Sequence, residues 1–430
     1  MINQYSVNIF YSDQWDFMIP LFKNDSLWSM FNWQHGPHRM GLALPLLNIL
    51  YGLTHWNVRA DSFFILFILT MAMFLAFWLK YKLFLKYTIY DLIIPLIFLN
   101  TVNDAIINVP HLAHSVLPLF LIIIYCLCWL IKNNTIKYAL VLITNFFLIY
   151  TGFGFFMGLI TILLFIGEIF RKNYPDKKNY RLIIFAGVVA LISFGSFFIN
   201  YKFTPAAPFI LPSFNYIGNY LIFIINMLSS SWGVYILPDI IKYVLLSFFL
   251  LTVCGVFFIC LKNYLQVKST ETSIYQISTI LIGFSLLFMF STAIGRISLG
   301  SHTGVATRYA TLLIPMYLGI YFYANTTSEK IKKYFLPSYF AIIFIATILI
   351  VPIISNNICN LYKERKQNWI NNYLHGYSME ECQMMNYEKY KHNNSYIYPN
   401  EILLEDKNRF NLFNEQLKYL KDNKLSFFAK

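Results

Sequence analysis

Apolar residues in this chain run in long blocks, separated by short polar and basic stretches. The blocks 61–79, 182–200, 240–261, 274–294 and 335–354 are each close to the roughly 20 residues a helix needs to cross a bilayer core of about 30 Å. In hydrocarbon every backbone N–H must find its partner inside the protein, so blocks of this length are helices. A membrane barrel would show short alternating strands, and no such alternation runs through the sequence. The blocks 90–102, 113–131, 137–151, 154–170 and 309–324 bring the predicted crossings to ten, with 90–102 the shortest. The pattern thus predicts an all-α, polytopic transmembrane helix bundle.

The charges between the blocks orient it. Fifteen Lys and Arg fall in the stretches 80–86, 132–137, 171–181, 262–268 and 330–333, all on one side. Seven fall on the other: Lys23, Arg39, Arg59, Lys202, Lys242, Arg296 and Arg308. The side rich in Lys and Arg is cytoplasmic by the positive-inside rule. Counting 216–231 as a crossing would invert everything after it, so that segment reads as re-entrant or interfacial. Three regions follow: an outward N-terminal loop (1–60), a membrane domain (61–354) and an outward polar tail (355–430). Within the tail, 401–422 predicts an amphipathic helix. The sequence opens MINQYSVNIFYSDQW, with no signal peptide and no helix ahead of the outward loop, so a helix preceding Met1 is expected.

Composition adds little to this picture. Only 12% of residues are charged and 58% are hydrophobic, against about 25% charged in a soluble domain. The net charge of +13 sits in the loops and does not mark a nucleic-acid binder. Cys126, Cys128, Cys254 and Cys260 lie in apolar blocks and read as small core residues. Cys359 and Cys382 are placed to pair if the tail faces an oxidising compartment. No metal-ligand spacing is visible.

Candidate chemistry gathers on the outward side. Asp13, Asp16, His35, His38 and Arg39 lie within one stretch, among Trp15, Trp28, Trp33 and Trp56. Pro37 favours a helix start, which predicts a surface helix over 38–57 with His38 and Arg39 at its N-terminal end. A cation there opposes the helix dipole unless an anion binds. His111 and His114 precede the helix 113–131, after Asp104, and Arg308 precedes the helix 309–324, after Arg296 and His302. If these three helix starts converge, they form a phosphate site, with Asp13, Asp16 and Asp104 as candidate bases. The bland alternative is a solvated loop, with Arg296 and Arg308 snorkelling to the interface. Asp61 and Asp91 stand at helix starts, where they can cap.

These residues resemble the membrane glycosyltransferases of the GT-C superfamily. The resemblance rests on an acid in the first outward loop, an interfacial helix opened by His-Arg, and about a dozen helices. The stretch 13–59, DQWDFMIPLF…WQHGPHRMGL…THWNVR, looks like bacterial members of that group, and Thr307-Arg308-Tyr309-Ala310-Thr311 is similar as well. The resemblance implies a GT-C-like fold and a multi-pass protein of the bacterial inner (plasma) membrane. Its donor would be a polyprenyl-phosphate-linked sugar, and its acceptor a surface glycan or lipid. Asp13 matches the family's loop carboxylate, and Arg308 a phosphate contact; His35, His38 and Arg39 join it by charge. The family's acid pair is here Asp13-Gln14, with the next acid at Asp16, which leaves a divalent cation open. Two other functions compete: an O-antigen-type polysaccharide polymerase using a similar donor, and a transporter or flippase. The predicted spans carry few charges and show no repeated halves, which disfavours transport.

Overall fold

The computed structural model describes residues 1–11, 13–100, 102, 112–171, 177–204, 213–266, 272–390 and 407–429. Apart from one two-residue hairpin, regular structure among them is helical. In chain order the principal elements are α1 (Gln14–Phe17), α2 (Leu27–Asn32), β1 (Gln34–His35), β2 (His38–Arg39), α3 (Ala43–Thr54) and α4 (Arg59–Phe84). Next come α5 (Leu117–Trp129), α6 (Asn134–Ile149), α7 (Phe156–Phe170), α8 (Lys177–Ser196), α9 (Ile217–Ser231) and α10 (Asp239–Gln266). The chain finishes with α11 (Thr272–Arg296), α12 (Ile314–Ala324), α13 (Glu329–Phe344), α14 (Val351–Leu374), α15 (Met379–Tyr390) and α16 (Lys407–Asp422).

Among the described residues, five helical stretches are long and apolar enough to cross a membrane: Arg59–Phe84, Gly152–Phe170, Asp239–Gln266, Thr272–Leu299 and Glu329–Leu374. They mark the chain as a membrane protein. The other predicted crossings are shorter. The described part of 90–102 is helical only over Ile89–Phe98, about 15 Å at 1.5 Å per residue, which does not cover a bilayer core. Helix α9 has 15 residues, and its last nine, 223–231, are all buried.

Packing follows from the helix faces. Helix α11 buries most of its length at the centre of the bundle, against α10 and α12. Helix α10 leaves Val244, Phe248, Leu251 and Phe258 exposed, an apolar face suited to lipid. The end of α4 is fixed by a buried ion pair. Lys80 Nζ lies 2.8 Å from Asp91 Oδ2, and Tyr321 of α12 donates its hydroxyl to the other carboxylate oxygen. Asp91 also accepts from the Thr88 N–H, as a capping residue should. Lys80, expected in a loop, is therefore fully buried inside a helix. Asp61, in the first turn of α4, accepts from the Tyr51 hydroxyl of α3 and is equally buried.

The N-terminal region and the tail are not separate. Helix α14 continues α13 through a π-helical turn at Ile345–Ile350, carrying the chain from the bundle to the N-terminal residues. There Tyr362 packs edge-on against Tyr11. Helix α16 buries Phe413, Leu417 and Leu420, and Ser426 bonds to the carbonyls of His55 and Asn8. Of the helix predicted over 401–422, residues 401–406 lie outside the described residues and the rest is helical. Cys359 and Cys382 do not form the expected disulfide with each other: they are buried in different apolar clusters.

Candidate functional site

The expected helix over 38–57 does not form at its start. Gly36 takes a φ of +55°, which turns the chain back at Gly36-Pro37, so His38 and Arg39 pair as a strand with His35 and Gln34. The helix begins only at Ala43, and neither side chain sits at a helix N-terminus. What holds Arg39 is a ring of acceptors. Its Nε and Nη2 donate to Phe197 O (3.1 and 2.8 Å), Nη2 to Ile199 O (2.7 Å), and Nη1 to Asn32 O and Oδ1 (2.7 and 2.6 Å). The guanidinium has five N–H groups, and all five are engaged. Arg39 thus clamps the hairpin to the end of α8 and has no donor left for a phosphate. Gln34 and Thr204 add further ties between the hairpin and residues 202–204.

Gly41 makes the next turn possible. Its φ is +54°, and an added Cβ would stand 2.3 Å from Thr151 Oγ1 and 2.5 Å from Tyr150 O. Gly41→Ala is expected to destabilise the protein by roughly 2–4 kcal/mol, through left-handed strain and overpacking. SDS-induced unfolding of the purified protein checks this.

Behind the hairpin lies a cleft of about 910 Å³. Asp13, Asp16, His35, His38, Arg39 and Arg308 all line it, so every described residue expected at the site is there. Asp104 and His111 lie outside the described residues, as does the side chain of His114. Asp13 caps α1 without a side-chain bond to that helix, and Asp16 follows three positions on, on the same face. Asp16 Oδ2 stands 3.9 Å from His35 Nε2, whose ring meets Phe17 edge-on at 4.3 Å.

Arg296, which the sequence offers only as a neighbour of Arg308, lines the cleft too, as do Lys202, Ser115, Asn200, Thr204 and Leu412, which the sequence does not mark for the site. Arg296 ends α11, where a cation suits the helix dipole. It interacts electrostatically with both Arg308 and Asp13, and Asp13 with both arginines. The Arg308 guanidinium lies 5.5 Å from the centre of the Tyr309 ring and stays open to the cleft. Arg296, Arg308 and Lys202 outnumber the two carboxylates, Asp13 and Asp16, on the cleft wall, and an anion would neutralise the excess of positive charge.

His38 takes no part as a cation. Burial, followed by the charges of Arg296 and His35, pushes its pKa down to about 3, and its ring rests 4.3 Å from Phe153. The folded state therefore keeps His38 neutral, while the unfolded chain takes a proton near 6.5. The unfolded state binds more protons in that window. Stability should thus fall as pH drops from about 6.5 toward 3, by at most about 1.4 kcal/mol per pH unit from this group. Unfolding followed across that range checks this, and His38→Gln is expected to flatten the slope.

Among the described residues, no three His, Cys, Asp or Glu side chains converge to hold a metal ion. No family model, curated protein or solved structure matches the chain.

Proposed function

We propose that this protein is a multi-pass membrane glycosyltransferase of the GT-C kind, set in a bacterial inner membrane with about ten helical passages. It moves a sugar from a polyprenyl-phosphate-linked donor to a surface glycan or lipid at the outer face. The observation that carries this reading is the cleft: Asp13 and Asp16 line it together with Arg296, at the end of α11, and Arg308, in the short 3-10 helix Thr307–Leu313 that leads into α12. Arg308 and Arg296 hold the lipid phosphate, and Lys202 adds charge at the rim. The leaving phosphate gains negative charge as the glycosidic bond breaks, so fixed cations stabilise the transition state more than the ground state. Asp13 takes the proton from the acceptor hydroxyl. Asp16, paired with His35, orients the acceptor. Neutral His38 offers a hydrogen bond without charge, and Arg39 shapes the wall.

Transfer of a labelled sugar from polyprenyl phosphate by the protein in nanodiscs tests this, with Asp13→Asn as control. Loss of transfer in that variant with donor binding retained is expected; equal activity would overturn the role of Asp13. The topology has its own test. Cysteines at Lys23→Cys and His302→Cys should label from outside the cell, and one at Lys82→Cys only after permeabilisation. Labelling of 23 and 302 from opposite faces would end the outer-face reading.

A further inference from the structure

Helix α1, with Asp13 as its N-cap and Asp16 within it, has four residues, and its backbone closes through Phe17 N to Asp13 O (3.0 Å) and Met18 N to Gln14 O (3.2 Å). A helix this short does not hold itself, because nucleation costs more than one or two bonds return. Something outside it must fix where Asp13 and Asp16 stand. Trp15, between them, is the handle: it is buried and points away from the cleft, among Phe10, Phe22 and Phe413.

Helix α16 grips that handle twice. Its buried stripe reads Phe413, Gln416, Leu417 and Leu420. A glutamine on an apolar stripe needs a partner, and Gln416 Nε2 donates to the backbone carbonyl of Trp15 at 3.0 Å. One turn earlier the Phe413 ring meets the Trp15 indole at 4.3 Å, close to perpendicular. Beside Phe413, Leu412 reaches the cleft wall itself. The tail thus touches the acid-bearing helix through a backbone bond, an aromatic contact and the cleft surface.

We propose that α16 is the positioning element of the site: Gln416 and Phe413 hold Trp15 and thereby set Asp13 and Asp16 against Arg296 and Arg308. What the carboxylates do rests on the glycosyltransferase reading; where they are held does not. The test uses the full-length protein in nanodiscs with Gln416→Met, which keeps volume but removes the donor, and Phe413→Leu, with Phe413→Tyr as the conservative control. Hydrogen exchange by mass spectrometry should speed up at the amides of Phe17 and Met18 in the first two variants, while α11 and α12 keep wild-type exchange. In the transfer assay kcat should fall roughly tenfold to a hundredfold, the cost of displacing catalytic groups by about 1 Å. Donor KM should hold, because the phosphate contacts lie on other elements, and Phe413→Tyr should restore kcat. Unchanged exchange at Phe17 and Met18, or unchanged kcat in an active enzyme, overturns the proposal. If the wild type transfers no sugar, the functional reading fails, and the exchange result alone decides the role of α16.

Discussion

On the proposed function, Arg308→Ala is expected to lower kcat/KM for sugar transfer by about two to three orders of magnitude, or roughly 3–4 kcal/mol of transition-state stabilisation, with membrane levels unchanged. The physical reason is placement. Arg308 sits where the cleft opens and interacts with Asp13 and Arg296 at once. Removing it leaves one guanidinium for a phosphate whose charge grows during transfer. Arg308→Lys should recover part of the loss, since an ammonium restores the charge but not the planar two-pronged contact. Arg296→Ala should behave alike, and the double variant should lose less than the sum, because the two arginines share one anion. Arg39→Ala should differ in kind: its donors tie the hairpin to Asn32, Phe197 and Ile199, so it lowers stability first and activity through it.

Asp91→Ala is expected to lower stability by about 3–5 kcal/mol, the cost of leaving a buried ammonium without its counter-charge. Lys80 has no exposed surface, and Asp91 is its carboxylate partner at 2.8 Å. The same substitution strands the Tyr321 hydroxyl and so loosens α12 from α4. Lys80→Met with Asp91→Leu together should return most of the loss, because a well-packed apolar pair avoids desolvating either charge. SDS unfolding of the single and double variants measures both. The effect should leave donor KM nearly untouched, since the cleft is built by other residues.

The long apolar blocks were readable because lipid leaves the backbone only one economical arrangement: 61–79, 240–261, 274–294 and 335–354 fall in helices long enough to span, as does 154–170, while 182–200 falls mainly in the shorter apolar helix Tyr180–Ser196. The shorter crossings were less so. In the block 90–102 Ile93, Ile94, Ile97 and Phe98 are buried in protein, and hydropathy does not separate that from burial in lipid. Lys80 shows the same blindness from the polar side, for a lysine at a block end reads as a loop until its partner Asp91, eleven positions away, is seen beside it. The cleft was legible mainly in the minority charges. Of the seven cations assigned outward, Arg39, Lys202, Arg296 and Arg308 all line it. The others are accounted for elsewhere or lie apart: Arg59 bonds Asn3, Lys242 pairs with Asp239, and Lys23 is exposed. What the pattern could not show was division of labour. Arg39 differs from Arg308 in its burial and in the backbone carbonyls and Asn32 side chain that meet it, and no local sequence signal marks those acceptors. Nor does anything near Gln416 announce Trp15, which is 401 residues away along the chain.

The central claim is that this cleft transfers a lipid-linked sugar, and gene deletion in the protein's own host tests it most directly. Surface glycans and lipid-linked sugars are profiled by mass spectrometry after deletion, and again after restoring wild type, Asp13→Asn or Arg308→Ala. The account predicts that deletion removes a sugar from one glycan or lipid, that wild type returns it, and that neither variant does so at equal membrane levels. A deletion that changes no glycan, or variants that restore the sugar as well as wild type, would contradict it.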